Sequence, residues 1–286
     1  MMHLRSSALI LLTLWLFSLQ VLFPGRPVAL PKGSLESWAG ANRTWLQRQV
    51  TPNRAVTDPN PARRRLIVSY DISPEDSPYG FHRSATYDNA LAALAFLIGG
   101  DTDRAAFTLH ALARLIRPNG SLWFSYNTLN SWPDESYHES AIVRAGAIAW
   151  VGYAYTFYLT HAPPCSSDDR GCGRERAFFR ESAVRLAEYL LSLRVEDPSD
   201  SRFGLVRLGY GTIELEYRKE SDEVIEVYLD EPALGISTEN NISAWFFLRQ
   251  LGQLTGESRW IKSADRIRQS LLRAAWNQEL GQFNRG

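Results

Sequence analysis

Apolar residues dominate the chain from Ala8 to Phe23, relieved only by Thr13, Ser18 and Gln20, with His3 and Arg5 ahead and Pro24, Gly25 and Pro27 behind. As a helix this run reaches about 24 Å, short of a hydrocarbon core of roughly 30 Å, which is the form of a signal h-region. No Ala-x-Ala cleavage site follows, since Val28-Ala29-Leu30 is a poor one, so a cleaved signal peptide and an uncleaved signal-anchor both fit. Residues 1–32 are set apart as that segment plus linker, and residues 33–286 as the working domain. The expected location is outside the cytoplasm, either exported or membrane-anchored through the N-terminal segment.

Beyond the linker the pattern becomes helical. Leu35, Trp38, Ala39, Trp45 and Leu46 fall roughly on one stripe behind a capping Ser34, and residues 51–64, rich in Pro, Asn and Arg, read as loop. A repeated unit follows: an apolar helix, a break, an amphipathic helix, then a short glycine-containing extended segment. Thr86 to Ile98 pairs with a helix from Asp101 or Thr102 to about Ile116. Glu139 to Thr160 pairs with Arg174 to Arg194, and Thr238 to Leu254 with Ser258 to Trp276. The first helix of each pair is apolar nearly all round and the second on one stripe only, which predicts an inner and an outer ring. A membrane span over 141–159 is the alternative, opposed by the charge of Arg144. Between the second and third units, Val206 to Leu229 alternates apolar and polar residues and predicts an inserted β-hairpin.

Charge narrows the function classes. Lys+Arg and Asp+Glu both number 31, so nothing marks a nucleic-acid surface. No Gly-rich phosphate loop, serine-hydrolase elbow, Asp-rich magnesium box or Cys/His zinc set is present, so neither cofactor nor metal is expected. Cys165 and Cys172 bracket a polar, turn-rich segment and are expected to form a disulfide. The 9 Trp, 12 Tyr and 13 Phe suit stacking on sugar rings as well as a large core.

The starts of the inner helices carry the candidate chemistry. Thr86-Tyr-Asp88-Asn89 superposes by hand on Ser237-Thr-Glu239-Asn240, and the middle unit places Val143 and Arg144 at the equivalent positions. Asp88 and Glu239 then share a mouth with Arg144 between them. Two carboxyl groups facing one cleft are what glycosidic cleavage needs: one protonates the leaving oxygen, the other activates water or attacks. A carboxylate in the first turn of a helix also stabilises that helix with no catalytic purpose, so the position alone does not decide. Glu135, Asp230 and Glu231 (with Asp134) are further carboxylates expected near the mouth. Trp123, Tyr126 and Trp132, with Phe124 and Tyr137, are candidates for the floor of a sugar cleft.

The segment Arg144-Ala-Gly-Ala-Ile-Ala-Trp150 and the segment Ser237-Thr-Glu-Asn-Asn241 with Leu248 and Thr255-Gly256 resemble the six-hairpin glycosidase superfamily. So do Ala264 and the Trp276…Gly281-Gln-Phe…Gly286 ending. The resemblance covers roughly residues 86–286. It implies an all-α fold, an (α/α) toroid with a small β-hairpin insertion, and glycan hydrolysis by mouth carboxylates on a carbohydrate substrate. A non-catalytic glycan-binding or scaffold protein on the same fold is the alternative. A full ring has six hairpins, whereas three and an opening helix are legible, so either the first 80 residues hold more of it or the ring is truncated, and a partial ring is expected. Its third unit would then carry an uncovered apolar edge, leaving the chain inactive, poorly soluble or oligomeric by itself.

Overall fold

A computed structural model describes residues 35–49, 66–70, 72–77, 80–128, 141–166 and 168–284. The N-terminal apolar run and the loop at 51–64 lie outside the described residues. The chain divides into a compact unit up to Trp45 and a larger one from Leu46 onward, with helix α1 (Leu35–Gln49) spanning the division. In the larger unit, α2 (Thr86–Ile98) pairs with α3 (Thr102–Leu115), α4 (Ala145–His161) with α5 (Arg170–Ser192), and α6 (Thr238–Thr255) with α7 (Ser258–Ala274). Helix α4 lies between α2 and α6 and is backed by α5, so the first helices of the pairs form an inner layer and the second helices an outer one.

Burial follows the sequence pattern. Thirteen of the 17 residues of α4 are buried, which leaves no lipid-facing stripe and makes it a helix enclosed by protein. No helix among the described residues is long and apolar enough to cross a membrane. In contrast, α7 buries Trp260, Ala264, Ile267 and Leu271, a single stripe at helical spacing, and turns its charged residues outward. Glycines on α4 set its distance to α6. A Cβ on Gly152 would lie 2.2 Å from the Phe247 ring, and one on Gly146 would lie 2.2 Å from Asn240 Oδ1.

Two helix starts differ from the sequence expectation. Helix α4 begins at Ala145, because Val143–Arg144 is drawn into a strand (β3, after β1 Arg83–Ala85 and β2 Ser125–Asn127). Helix α5 begins at Arg170, inside the cysteine-bracketed segment, because Asp169 caps it by accepting from Cys172 N at 2.9 Å. Cys165 and Cys172 are bridged, with Cα atoms 5.6 Å apart, tying the end of the α4–α5 turn to the first turn of α5.

The inserted hairpin is a long ribbon, β4 (Arg207–Arg218) and β5 (Glu223–Ile236), joined by β3 into a three-stranded antiparallel sheet. Gly209, at φ 141°, sits where a Cβ would lie 2.1 Å from Val143 O, so only glycine lets β3 and β4 cross there. The sheet is thus anchored directly ahead of α4. The ribbon's far half, from Glu214 to Glu226, is largely exposed. A short hairpin of β6 (Trp276–Asn277) and β7 (Gln282–Phe283) follows α7.

Two buried asparagines join successive units. Asn89 Oδ1 accepts from Ile67 N at 2.9 Å while its amide nitrogen donates to Ser84 Oγ and Ala85 O. Asn241 Oδ1 accepts from Val206 N at 2.7 Å while its amide nitrogen donates to Val206 O and Ser237 O. Each lies fully buried at the fourth position of an inner helix and holds a segment that follows α1 in one case and the outer helix α5 in the other.

Replacing Asn241 by Ala strands the Val206 N–H in the core, a cost of about 1–3 kcal/mol. Chemical denaturation of Asn241→Ala is expected to show that loss, with Asn89→Ala behaving alike. Gly152→Ala drives a methyl into the Phe247 ring and is expected to destabilise by about 1–3 kcal/mol in the same measurement.

Candidate active site

The inner helices all present their N-termini at one end of the layer, beside β1, β2 and the root of the ribbon. Helix caps define equivalent positions: Ala85, Arg144 and Ser237 precede the first helical residues Thr86, Ala145 and Thr238. Two hydrogen bonds bear out this alignment. Thr86 Oγ1 donates to Trp123 O and Thr238 Oγ1 donates to Asn284 O at 2.9 Å, each reaching the extended segment that ends its own hairpin. The hand superposition is therefore one residue out of register. Glu239 is equivalent to Tyr87, and Asp88 to Asn240; in the middle unit the same places are held by Gly146 and Ala147.

Burial raises the Tyr87 phenol, and the charges of Glu239 and Asp88 add to that rise. Asp88 is half-buried, and desolvation lifts its carboxyl above the ordinary aspartate value. A hydrogen bond from Ser69 and the charge of Arg83 oppose that lift without cancelling it. Ser69 is itself fixed, accepting from Ala85 N at 2.8 Å, and Arg83 Nε donates to Ser125 Oγ at 3.0 Å. Glu239 is exposed.

The remaining candidates divide. Arg144 is half-buried and its Nη1 donates to Val143 O, Tyr210 O and Gly211 O, so this guanidinium nitrogen braces the ribbon root instead of lying free between the carboxylates. Tyr126 is 2% exposed, with its hydroxyl accepting from Trp123 N at 3.1 Å; it belongs to the core and not to a cleft floor. Trp123 is half-buried beneath the Arg117 guanidinium, 4.0 Å from the ring centre. Asp230 and Glu231 sit on exposed β5, where Tyr228 and Thr212 hydroxyls donate to them within the ribbon. Trp132, Asp134, Glu135 and Tyr137 lie outside the described residues. No group of three metal-ligating side chains forms among the described residues.

Two mouth residues were passed over in the sequence. Tyr87 is the aromatic neighbour of Asp88, and Trp150, one turn below Gly146, meets the Tyr87 ring edge-on with centroids 5.6 Å apart. The signal for Trp150 was its four-residue spacing from Gly146, which puts both on one face of α4.

Helical hairpins layered in this order, with inner N-termini gathered at one end, are the toroid fold expected from the sequence, and this chain shares that fold with solved structures. Among solved structures, the chain is similar to the unsaturated glucuronyl hydrolase from Bacillus sp. GL1, responsible for degradation of glycosaminoglycan. The TM-score is 0.57 at 16% identity, over 88% of this chain and 60% of that one. A UGL variant with dGlcA-Glc-Rha-Glc gives a TM-score of 0.56 at 16% identity, with the same coverage. A D-mannose isomerase follows with a TM-score of 0.48 at 10% identity, covering 85% of this chain and 52% of that one. The chain spans about three-fifths of the length of the first two structures. No family model and no curated protein matches its sequence.

The raised Asp88 carboxyl has a consequence for stability. Because the folded state binds this proton more tightly than the unfolded chain, its contribution is fully present below the unfolded aspartate value. It is lost as pH rises through the folded value. Asp88→Asn removes that loss, so the variant is expected to melt above the parent at neutral pH and to match it in acid. Thermal melts across pH 3.5–8 (roughly the span over which carboxyls titrate) check this.

Proposed function

We propose that the chain processes glycans by cleaving a glycosidic bond at this mouth, with Asp88 as the acid and Glu239 as the base or nucleophile. One observation carries the assignment: Asp88 and Glu239 both lie in the first turns of inner helices whose starts gather at one end of the layer, and there Asp88 is half-buried while Glu239 is exposed. In this reading burial of Asp88, which favours its protonated form, suits it to donate to a leaving oxygen, and the exposed Glu239 is the group to take a proton from water or attack carbon. The fold supports the reading, since solved proteins of this architecture include a glucuronyl hydrolase. The substrate placed first for trial is an oligosaccharide ending in an unsaturated glucuronyl residue, such as dGlcA-Glc-Rha-Glc. Residues 1–32 as signal or anchor, 33–286 as the working domain, and an extracytoplasmic location belong to the same proposal, because an extracellular glycan is met there.

Asp88→Asn and Glu239→Gln are each expected to lower turnover of that tetrasaccharide by about 10²- to 10⁴-fold. Mass spectrometry of the products is the measurement, with thermal melts confirming folding. Full turnover in both folded variants sinks the assignment. Binding of the sugar with no turnover in the parent chain points instead to a glycan-binding protein on the same fold.

A further inference from the structure

The chain is electrically balanced as a whole, but the ribbon is not. Between Thr212 and Glu231 it carries eight carboxylates against Arg218 and Lys219. Its outer half also holds apolar side chains in water: Leu215 is 71% exposed, Val224 62% and Tyr217 55%. The strand register gathers these on one face. Tyr217 lies opposite Val224, and Leu215, two residues earlier, lies opposite Glu226. Residues directly across a ladder share a face, as do alternate residues of one strand. That face is an apolar strip with one carboxylate, Glu226, set into it. Glu226 makes no hydrogen bond or ion pair among the described residues.

Pairing of two such ribbons edge to edge would set carboxylates against carboxylates, which like-charge repulsion opposes. The strip therefore suits a partner that is both apolar and basic. The same chain carries one. Helix α7 has five basic residues against Asp265 alone. Beside it, α6 and α7 leave a groove of about 190 Å³ lined by Ile242, Trp245, Leu271, Leu272 and Phe283, and by Arg268. Arg268 likewise makes no hydrogen bond or ion pair among the described residues. Within one copy the strip stays exposed, so it does not fill its own groove.

We propose that the ribbon is a docking arm for a second copy of this chain. Leu215, Tyr217 and Val224 of one copy seat on the α6–α7 groove of the other, and Glu226 pairs with Arg268 across the contact. Gly209 and Arg144 already fix the ribbon root, so the arm loses little freedom on docking. Strip and groove are different patches, and reciprocal seating satisfies both at once. Two arms in two grooves close a two-fold dimer and double the buried area. This concerns assembly alone and does not rest on the carboxylates of the mouth.

Sedimentation equilibrium of the full chain, in a density-matched mild detergent that covers the N-terminal apolar run, is expected to show a dimer. Glu226→Arg and Arg268→Glu each set like charges across the contact and weaken the dimer about ten- to a hundredfold. The double variant, with the pair reversed, recovers most of that loss. Leu215→Ser weakens it about tenfold with the melting temperature unchanged, because the side chain is solvated in the single copy. A monomer at every concentration overturns the proposal. So does a dimer that neither charge reversal weakens, since its contact lies elsewhere. Loss in both single variants without recovery in the folded double variant overturns the seating of strip on groove.

Discussion

A side-chain amide buried one turn inside an inner helix governs where everything at the mouth falls. Asn89 and Asn241 have no solvent exposure, and each pairs both its amide oxygen and its amide nitrogen with backbone or hydroxyl groups. An amide in that position tolerates neither rotation of the helix nor a slip along its axis, since either would strand polar groups in apolar surroundings. The helix start is thereby locked to the extended segment of the preceding unit. The residues two and one positions before the asparagine, Tyr87 and Asp88 in one helix and Glu239 and Asn240 in the other, are held at the opening as a result.

The same pair explains a misreading of the sequence. Thr86-Tyr-Asp88-Asn89 matches Ser237-Thr-Glu239-Asn240 as hydroxyl, any, carboxylate, Asn, and it matches Thr238-Glu239-Asn240-Asn241 as Thr, any, any, Asn. Chemistry-led matching favours the first register because it aligns two carboxylates. Packing selects the second, because a threonine and a buried asparagine do the same structural work in both helices. Two adjacent asparagines in the second motif made the sequence degenerate, and only the direction of their side chains separates them. Both carboxylates nonetheless add to the rise of the Tyr87 phenol, although they are not related by the repeat.

Periodicity made most of the architecture legible. The alternation of a helix apolar all round with one apolar on a single stripe translated directly into inner and outer layers, since a side chain's surroundings are what such patterns record. The inserted ribbon and the cysteine bridge were likewise readable, from alternation and from spacing. Less legible were single positions whose contacts depend on a distant partner. Arg144 looks like a site residue because it is the one charge on an apolar stretch, and its Nη1 is bound to strand carbonyls 66 and 67 residues onward. Tyr126 sits in an aromatic run that reads as a cleft floor, and strand β2 directs it into the core. Asp169 looked like loop and is a helix cap.

The ribbon has one further implication. Its root is locked by Gly209 against Val143 and by the Arg144 guanidinium, whereas its outer half carries exposed side chains on both strands around a turn at 219–222. Rigid attachment at one end and solvation at the other isolate the tip mechanically from the helical layers. The tip is thus a port on the molecule: a fluorophore, an affinity handle or a whole inserted domain placed there leaves the packing of the helical layers untouched.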